Sequence, residues 1–127
     1  MSEATLVWKV IKHHAPGYWR RIEDRANKGT PDCVFAIKTM GCGMAELKYL
    51  REWPKGVTNL GLSKLQVLFL NRFANNGGRC WLIARIDNHW LFVRGQDVPF
   101  ETTMDGWLQR ACYYTNKVDW DNLEEHL

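Results

Sequence analysis

The chain has 127 residues, a hydrophobic share of 46% that includes seven Trp, four Tyr and five Phe, and a formal charge of +3 at neutral pH. That is enough apolar surface to close one core, so a single domain over residues 1–127 is expected, with its core at about 3–93 and an extension at 94–127. A disordered chain is excluded by the aromatic content. A membrane-spanning chain is excluded because no stretch approaches roughly 18 consecutive apolar residues.

In chain order, Ser2 caps a first predicted helix whose Leu6, Val7, Val10 and Ile11 fall on one buried stripe. Pro16-Gly17 ends it, and residues 18–23 read as a strand. After a turn at Asn27-Lys28-Gly29, residues 33–37 are continuously apolar, as in a strand covered on both faces. Gly41-Cys42-Gly43 is expected to reverse the chain, and residues 44–50 return as the second strand of a hairpin.

A loop punctuated by Pro54, Gly56 and Gly61 leads to a second helix, where Ser63 and Gln66 form the S-x-x-Q of a capping box. Leu65, Leu68, Phe69 and Phe73 are its expected apolar face, and Asn75-Asn76-Gly77-Gly78 stops it. Residues 80–86 and 90–93 read as two further strands around an Asp87-Asn88 turn, followed by a short helix near 106–114 and a helical tail carrying Trp120, Leu123 and Leu127. The expected order is α-β-β-β-α-β-β-α, an α/β (α+β) fold with a mixed sheet flanked by helices. Cys33, Cys42, Cys80 and Cys112 form no C-x-x-C pair and no metal-finger spacing with the four His, which fits reduced thiols in a core. The opening MSEATLVWKVIKHH has its charge too early and its apolar run too short for a secretory signal, so a cytoplasmic protein is expected.

The chemistry concentrates on the hairpin. Glu46 and Lys48 are two apart on a predicted strand and project from one face, while Asp32 opens the neighbouring strand. Pro31 fixes its own φ and keeps Thr30 extended, presenting Asp32 stiffly. Two close carboxylates repel, and a divalent cation relieves that repulsion. Mg²⁺ is expected to take oxygens from Asp32, Glu46 and the backbone carbonyl of Leu47, leaving positions for water and a phosphate, with Lys48 as a fixed positive charge beside them. Singly, Pro-Asp is a common turn and E-x-K a common solvated face; their joint occurrence across one hairpin is what points to chemistry.

Gly29-Thr30-Pro31-Asp32, then Glu46-Leu47-Lys48, then Ser63-Lys64-Leu65-Gln66 resembles the PD-(D/E)xK nuclease superfamily with its restriction-endonuclease-like core. Within it, the order of motifs over roughly residues 3–93 is most similar to VRR-NUC domains, including stand-alone viral (phage) Holliday junction resolvase-like nucleases. The resemblance implies metal ligation by Asp32 and Glu46, catalysis by Lys48, completion of the metal site by Glu3 and a place for Gln66 beside the active site. Glu3 also suits a first helical turn through the helix dipole, and Gln66 also suits position N3 of a capping box. Thr30 stands where the family often has a small apolar residue, the hairpin is shorter than many, and no family motif extends beyond Val93.

The expected activity is therefore a Mg²⁺- or Mn²⁺-dependent endodeoxyribonuclease acting on branched DNA, a junction resolvase working as a homodimer, with no nucleotide cofactor and no membrane partner. For a viral chain, its compartment is the host cytoplasm. A non-specific or flap nuclease, a catalytically silent DNA-binding protein of the same fold and a structural phage protein are the alternatives. Arg25, Lys28 and Lys64, beside the motif loops, are the expected phosphate contacts. Trp107, Trp120, Leu123 and Leu127 are candidate dimer-surface residues, or else pad the back of the sheet. Trp19 and Trp53 are expected to pack rather than to stack on bases.

Overall fold

The structure, a computed structural model, describes residues 3–22 and 28–127, without the side chains of residues 3 and 4. Its centre is a six-stranded sheet of β1 (Tyr18–Arg21), β2 (Cys33–Ile37), β3 (Gly41–Leu50), β4 (Cys80–Ile86), β5 (His89–Arg94) and β6 (Tyr113–Thr115), paired in chain order. All neighbours are antiparallel except β3 and β4, which run parallel because α2 (Lys64–Asn75) carries the chain back between them. The helix α1 (Glu3–His14) covers one face, packing Val7 and Ile11 on Cys33, Phe35, Ala45 and Leu47. The opposite face holds a second core, where Val67 and Leu70 of α2 and Trp107 of α3 (Met104–Arg110) meet Leu82, Ala84 and Leu91. A short α4 (Leu123–His126) ends the chain. No helix among the described residues is long and apolar enough to cross a membrane.

Several expectations need correction, each for a packing reason. The buried stripe of α1 is narrower than expected, since Leu6 is 43% exposed while Val7 and Ile11 are sealed. Strand β2 is covered on one face only: Cys33, Phe35 and Ile37 are buried, but Val34 is half-buried and Ala36 exposed, because α2 packs over β4 rather than over β2. The hairpin turns at residues 38–40, and Gly41-Cys42-Gly43 already belong to β3. Gly43 serves close approach, not reversal: a Cβ there would collide with the Arg79 carbonyl and the Phe35 ring.

On α2 the fully buried residues are Val67 and Leu70; of the expected Leu65, Leu68, Phe69 and Phe73, Phe73 packs against that core while Leu65 is 55% exposed. The expected helix at 106–114 ends at Arg110, and residues 113–115 become β6. Trp107 and Leu123, offered as dimer-surface residues, are completely buried, and Trp120 packs edge-on against Trp90 at 5.4 Å. Leu127 packs against the same core, so this set pads the monomer's own sheet. The Trp19 ring stacks on Phe35 at 4.8 Å and the Trp53 indole donates to the Tyr114 hydroxyl at 3.1 Å, so both pack as expected. The four cysteines are free; Cys33 and Cys80 lie in the cores, whereas Cys42 is exposed.

Candidate active site

The segment before β2 is built to hold one carboxylate still. Gly29 passes so close to the first turn of α2 that a Cβ would sit 2.7 Å from the Leu65 carbonyl oxygen, which only glycine avoids. Pro31 is buried, and the Asp32 carbonyl accepts from Ile22 N–H at 2.8 Å. The Asp32 side chain then crosses to the next strand, where its Oδ2 accepts from Leu47 N–H at 2.8 Å. Pairing of Cys33 with Ala45 sets that register. In an extended strand the amide and carbonyl of one residue face the same flank, so the Leu47 carbonyl shares the side on which Asp32 stands.

Glu46 and Lys48 project from the opposite side of β3 to Ala45 and Leu47, as the two-residue period requires, and lie level with Leu82 and Ala84 of β4. Glu46 is 2% exposed, an unusual place for a carboxylate. Its Oε1 accepts from Gln66 Nε2 at 3.1 Å and lies 3.8 Å from Lys48 Nζ. Its Oε2 is buried and receives no hydrogen bond from any described protein group. Burial first, then the charge of Asp32 and the hydrogen bond that only a protonated Glu46 can give it, push the Glu46 carboxyl up to about 9 against the opposing pull of Lys48. A proton or a cation therefore has to sit at Oε2 for this carboxyl to be stable. The same surroundings, burial first and then Asp32 and Glu46, raise Cys33 to about 12 and keep it a thiol.

Gln66 reconciles its two readings. The capping box of α2 is complete: Ser63 Oγ accepts from Gln66 N–H at 3.2 Å, and Gln66 Oε1 accepts from Ser63 N–H at 2.9 Å. With its carbonyl oxygen committed to the cap, the amide nitrogen can only face outward from the helix start, and it meets Glu46 there. The Gln66→Glu variant keeps the cap but replaces that donor with an oxygen of a third carboxylate. It is expected to hold the helix and to lose at least about tenfold in cleavage; full activity with an unchanged melting curve would leave Gln66 as a cap only.

A divalent ion fits what is present. Asp32 and Glu46 are hard oxygen donors, the Leu47 carbonyl faces their side, and Mg²⁺ is commonly held by one or two carboxylates together with water and substrate phosphate. Among the described residues no group of three or more His, Cys, Asp and Glu side chains is placed to hold a metal ion. Glu3 is the first residue of α1, and its side chain lies outside the described residues.

The chain aligns with a Holliday junction resolvase of the archaeal hyperthermophile Archaeoglobus fulgidus at a TM-score of 0.61 and 19% identity, over 85% of this chain and 89% of that one. The likeness is one of fold. The mixed six-stranded sheet flanked by helices is thus a resolvase-like nuclease fold, as the motif resemblance implied, with β6 added to the five expected strands. No protein-family model and no curated protein matches the sequence.

The remaining candidates sit around this frame. Lys64, the first residue of α2, and Lys28 are exposed on the two segments that meet at Gly29 and Leu65. Arg25 lies outside the described residues. The resemblance put Gln66 beside the active site; its bond to Glu46 could not be read from the residues alone, because a capping box accounts for a glutamine completely and says nothing about its second polar atom. The usable signal was Gln rather than Glu at that position, since only the amide brings a donor.

Proposed function

We propose that this chain is a divalent-metal-dependent DNA endonuclease that resolves four-way junctions, of the compact VRR-NUC kind that its motif order resembles. The observation that carries this reading is the buried, unsatisfied Oε2 of Glu46 beside Asp32 and Lys48, on a fold shared with a junction resolvase. A protein that only binds DNA has no use for a buried carboxylate of that kind facing a phosphate.

A bound Mg²⁺ or Mn²⁺ supplies an acidified water and neutralises charge on the phosphate. The rest falls to the chain. Asp32, fixed by Leu47 N–H, and Glu46, fixed by Gln66, hold their oxygens at one place; Glu3 completes the set. Glu46 would hold the ion only as a carboxylate, its proton passing to solvent. Lys48, 21% exposed and charged, reaches from beside Glu46 toward the surface and stabilises negative charge on the phosphate under attack. Lys28, Lys64 and Arg25 hold neighbouring phosphates on either side.

The partner copy binds through α2. Leu65, Leu68, Phe69 and Phe73 line a groove with Lys28, Gly29 and Thr30 among the described residues, and the Phe69 and Phe73 rings stack at 5.6 Å. The inner end of the same helix carries Gln66, so a two-fold contact along its outer stripe would tie two catalytic centres to one rigid element, one for each strand of a junction. Light scattering is expected to show a dimer that Phe69→Asp dissociates, and end-labelled junctions are expected to show paired symmetric nicks that the variant loses. A monomer that cuts linear duplex as readily as junctions would contradict the resolvase reading.

A further inference from the structure

Residues 51–62 connect Lys48 on β3 to the cap of α2, and the C-terminal extension grips this loop twice, at Trp53 through the Tyr114 hydroxyl and at Thr58. Thr58 N–H donates to the Thr102 carbonyl at 2.8 Å, and the Thr58 carbonyl accepts from Thr102 N–H at 3.1 Å and from the Trp107 indole at 2.9 Å. Both lone pairs of that carbonyl are engaged, and Trp107 is the largest fully buried side chain among the described residues. The Thr58 hydroxyl, itself nearly buried, accepts from Leu60 N–H at 3.1 Å. Leu60 is buried and left-handed at φ +51, a conformation that a leucine keeps only when its surroundings impose it.

From Leu60 the constraint passes to both catalytic neighbours. Gly61, also left-handed at φ +83, lies along the Lys48 stem: a Cβ there would be 3.9 Å from Lys48 Cδ. Leu62 N–H donates to the Asn59 carbonyl at 2.9 Å, and the next residue, Ser63, starts the capping box that aims Gln66 at Glu46.

We infer that Thr58 is a positioning residue for the active site, held by Trp107 and Thr102, and that the C-terminal extension serves catalysis through it. Its catalytic readout rests on the nuclease reading above. Thr58→Val keeps the shape and removes the hydroxyl, Thr58→Ser restores the hydroxyl, and Trp107→Phe removes the indole donor. With each variant well below its melting temperature, the single-turnover rate on saturating four-way junction with Mg²⁺ is expected to fall about tenfold to a hundredfold for Thr58→Val and Trp107→Phe. Junction affinity should stay within about twofold of the parent, and Thr58→Ser should cleave like the parent. In the metal-free chain, the Gln66 side-chain amide resonances are expected to move in the Val and Phe variants and not in Thr58→Ser.

Parental rates with unmoved Gln66 resonances in both Thr58→Val and Trp107→Phe would overturn the inference, as would a Thr58→Ser variant as slow as Thr58→Val. If the parent itself cleaves no DNA, the nuclease reading fails, and the Gln66 resonances alone still decide the positioning.

Discussion

Glu46→Gln is expected to abolish Mg²⁺-dependent cleavage, by at least about 10³-fold, while making the metal-free protein gain on the parent in stability as pH rises. Both halves follow from one environment. The charged form of Glu46 is penalised by burial and by Asp32, so the folded chain holds a proton that the unfolded chain releases near 4.5 and the folded chain only near about 9. Between those values the native state binds more protons than the unfolded state, and stability falls as pH rises. Glutamine carries no such titration. The melting temperature of Glu46→Gln should therefore draw ahead of the parent's as pH climbs through this window, and coincide with it or fall below it at the acid end. For the same reason Mg²⁺, which displaces the proton, should bind the parent more tightly with rising pH. Undiminished Mg²⁺-dependent cutting by the variant would remove Glu46 from the centre.

Lys48→Ala is expected to lose on the order of 10²–10³-fold in saturated cleavage rate with little change in DNA affinity. Its ammonium is one positive charge among 17 Lys and Arg, and it lies beside the carboxyls rather than out on a phosphate-binding surface. A second signature separates it from a simple binding residue. Lys48 pulls the Glu46 carboxyl down, so its removal should move the acid limb of metal binding to higher pH. Loss of junction affinity in step with activity would make Lys48 a binding residue.

The hairpin was legible because its signals are local. Alternation along residues 44–50 puts Glu46 and Lys48 on one face whatever the rest of the fold does, and Pro31 stiffens the approach to Asp32 in any context. The capping box at Ser63 and Gln66 was legible for the same reason. What was misread depends on neighbours distant in sequence. Glycines at 41 and 43 looked like a turn, yet Gly43 is required by the Arg79 carbonyl, which only the parallel pairing with β4 brings near. Helix α2 carries two apolar stripes. Val67 and Leu70 won the core, Phe73 packs at its rim, and Leu65 was left exposed, since periodicity ranks neither stripe over the other. The burial of Trp107 and its bond to Thr58 join positions 49 residues apart, which no local pattern encodes.

The most direct test of a metal-dependent centre at Asp32 and Glu46 is the cleavage of an end-labelled four-way junction by the parent chain in Mg²⁺ and in EDTA, with Glu46→Gln alongside. Cutting in Mg²⁺ by the parent alone, with none in EDTA and none by the variant, is the predicted result. Equal cutting with and without the metal, or no cutting of any DNA in Mg²⁺ or Mn²⁺ by a folded parent, would contradict it.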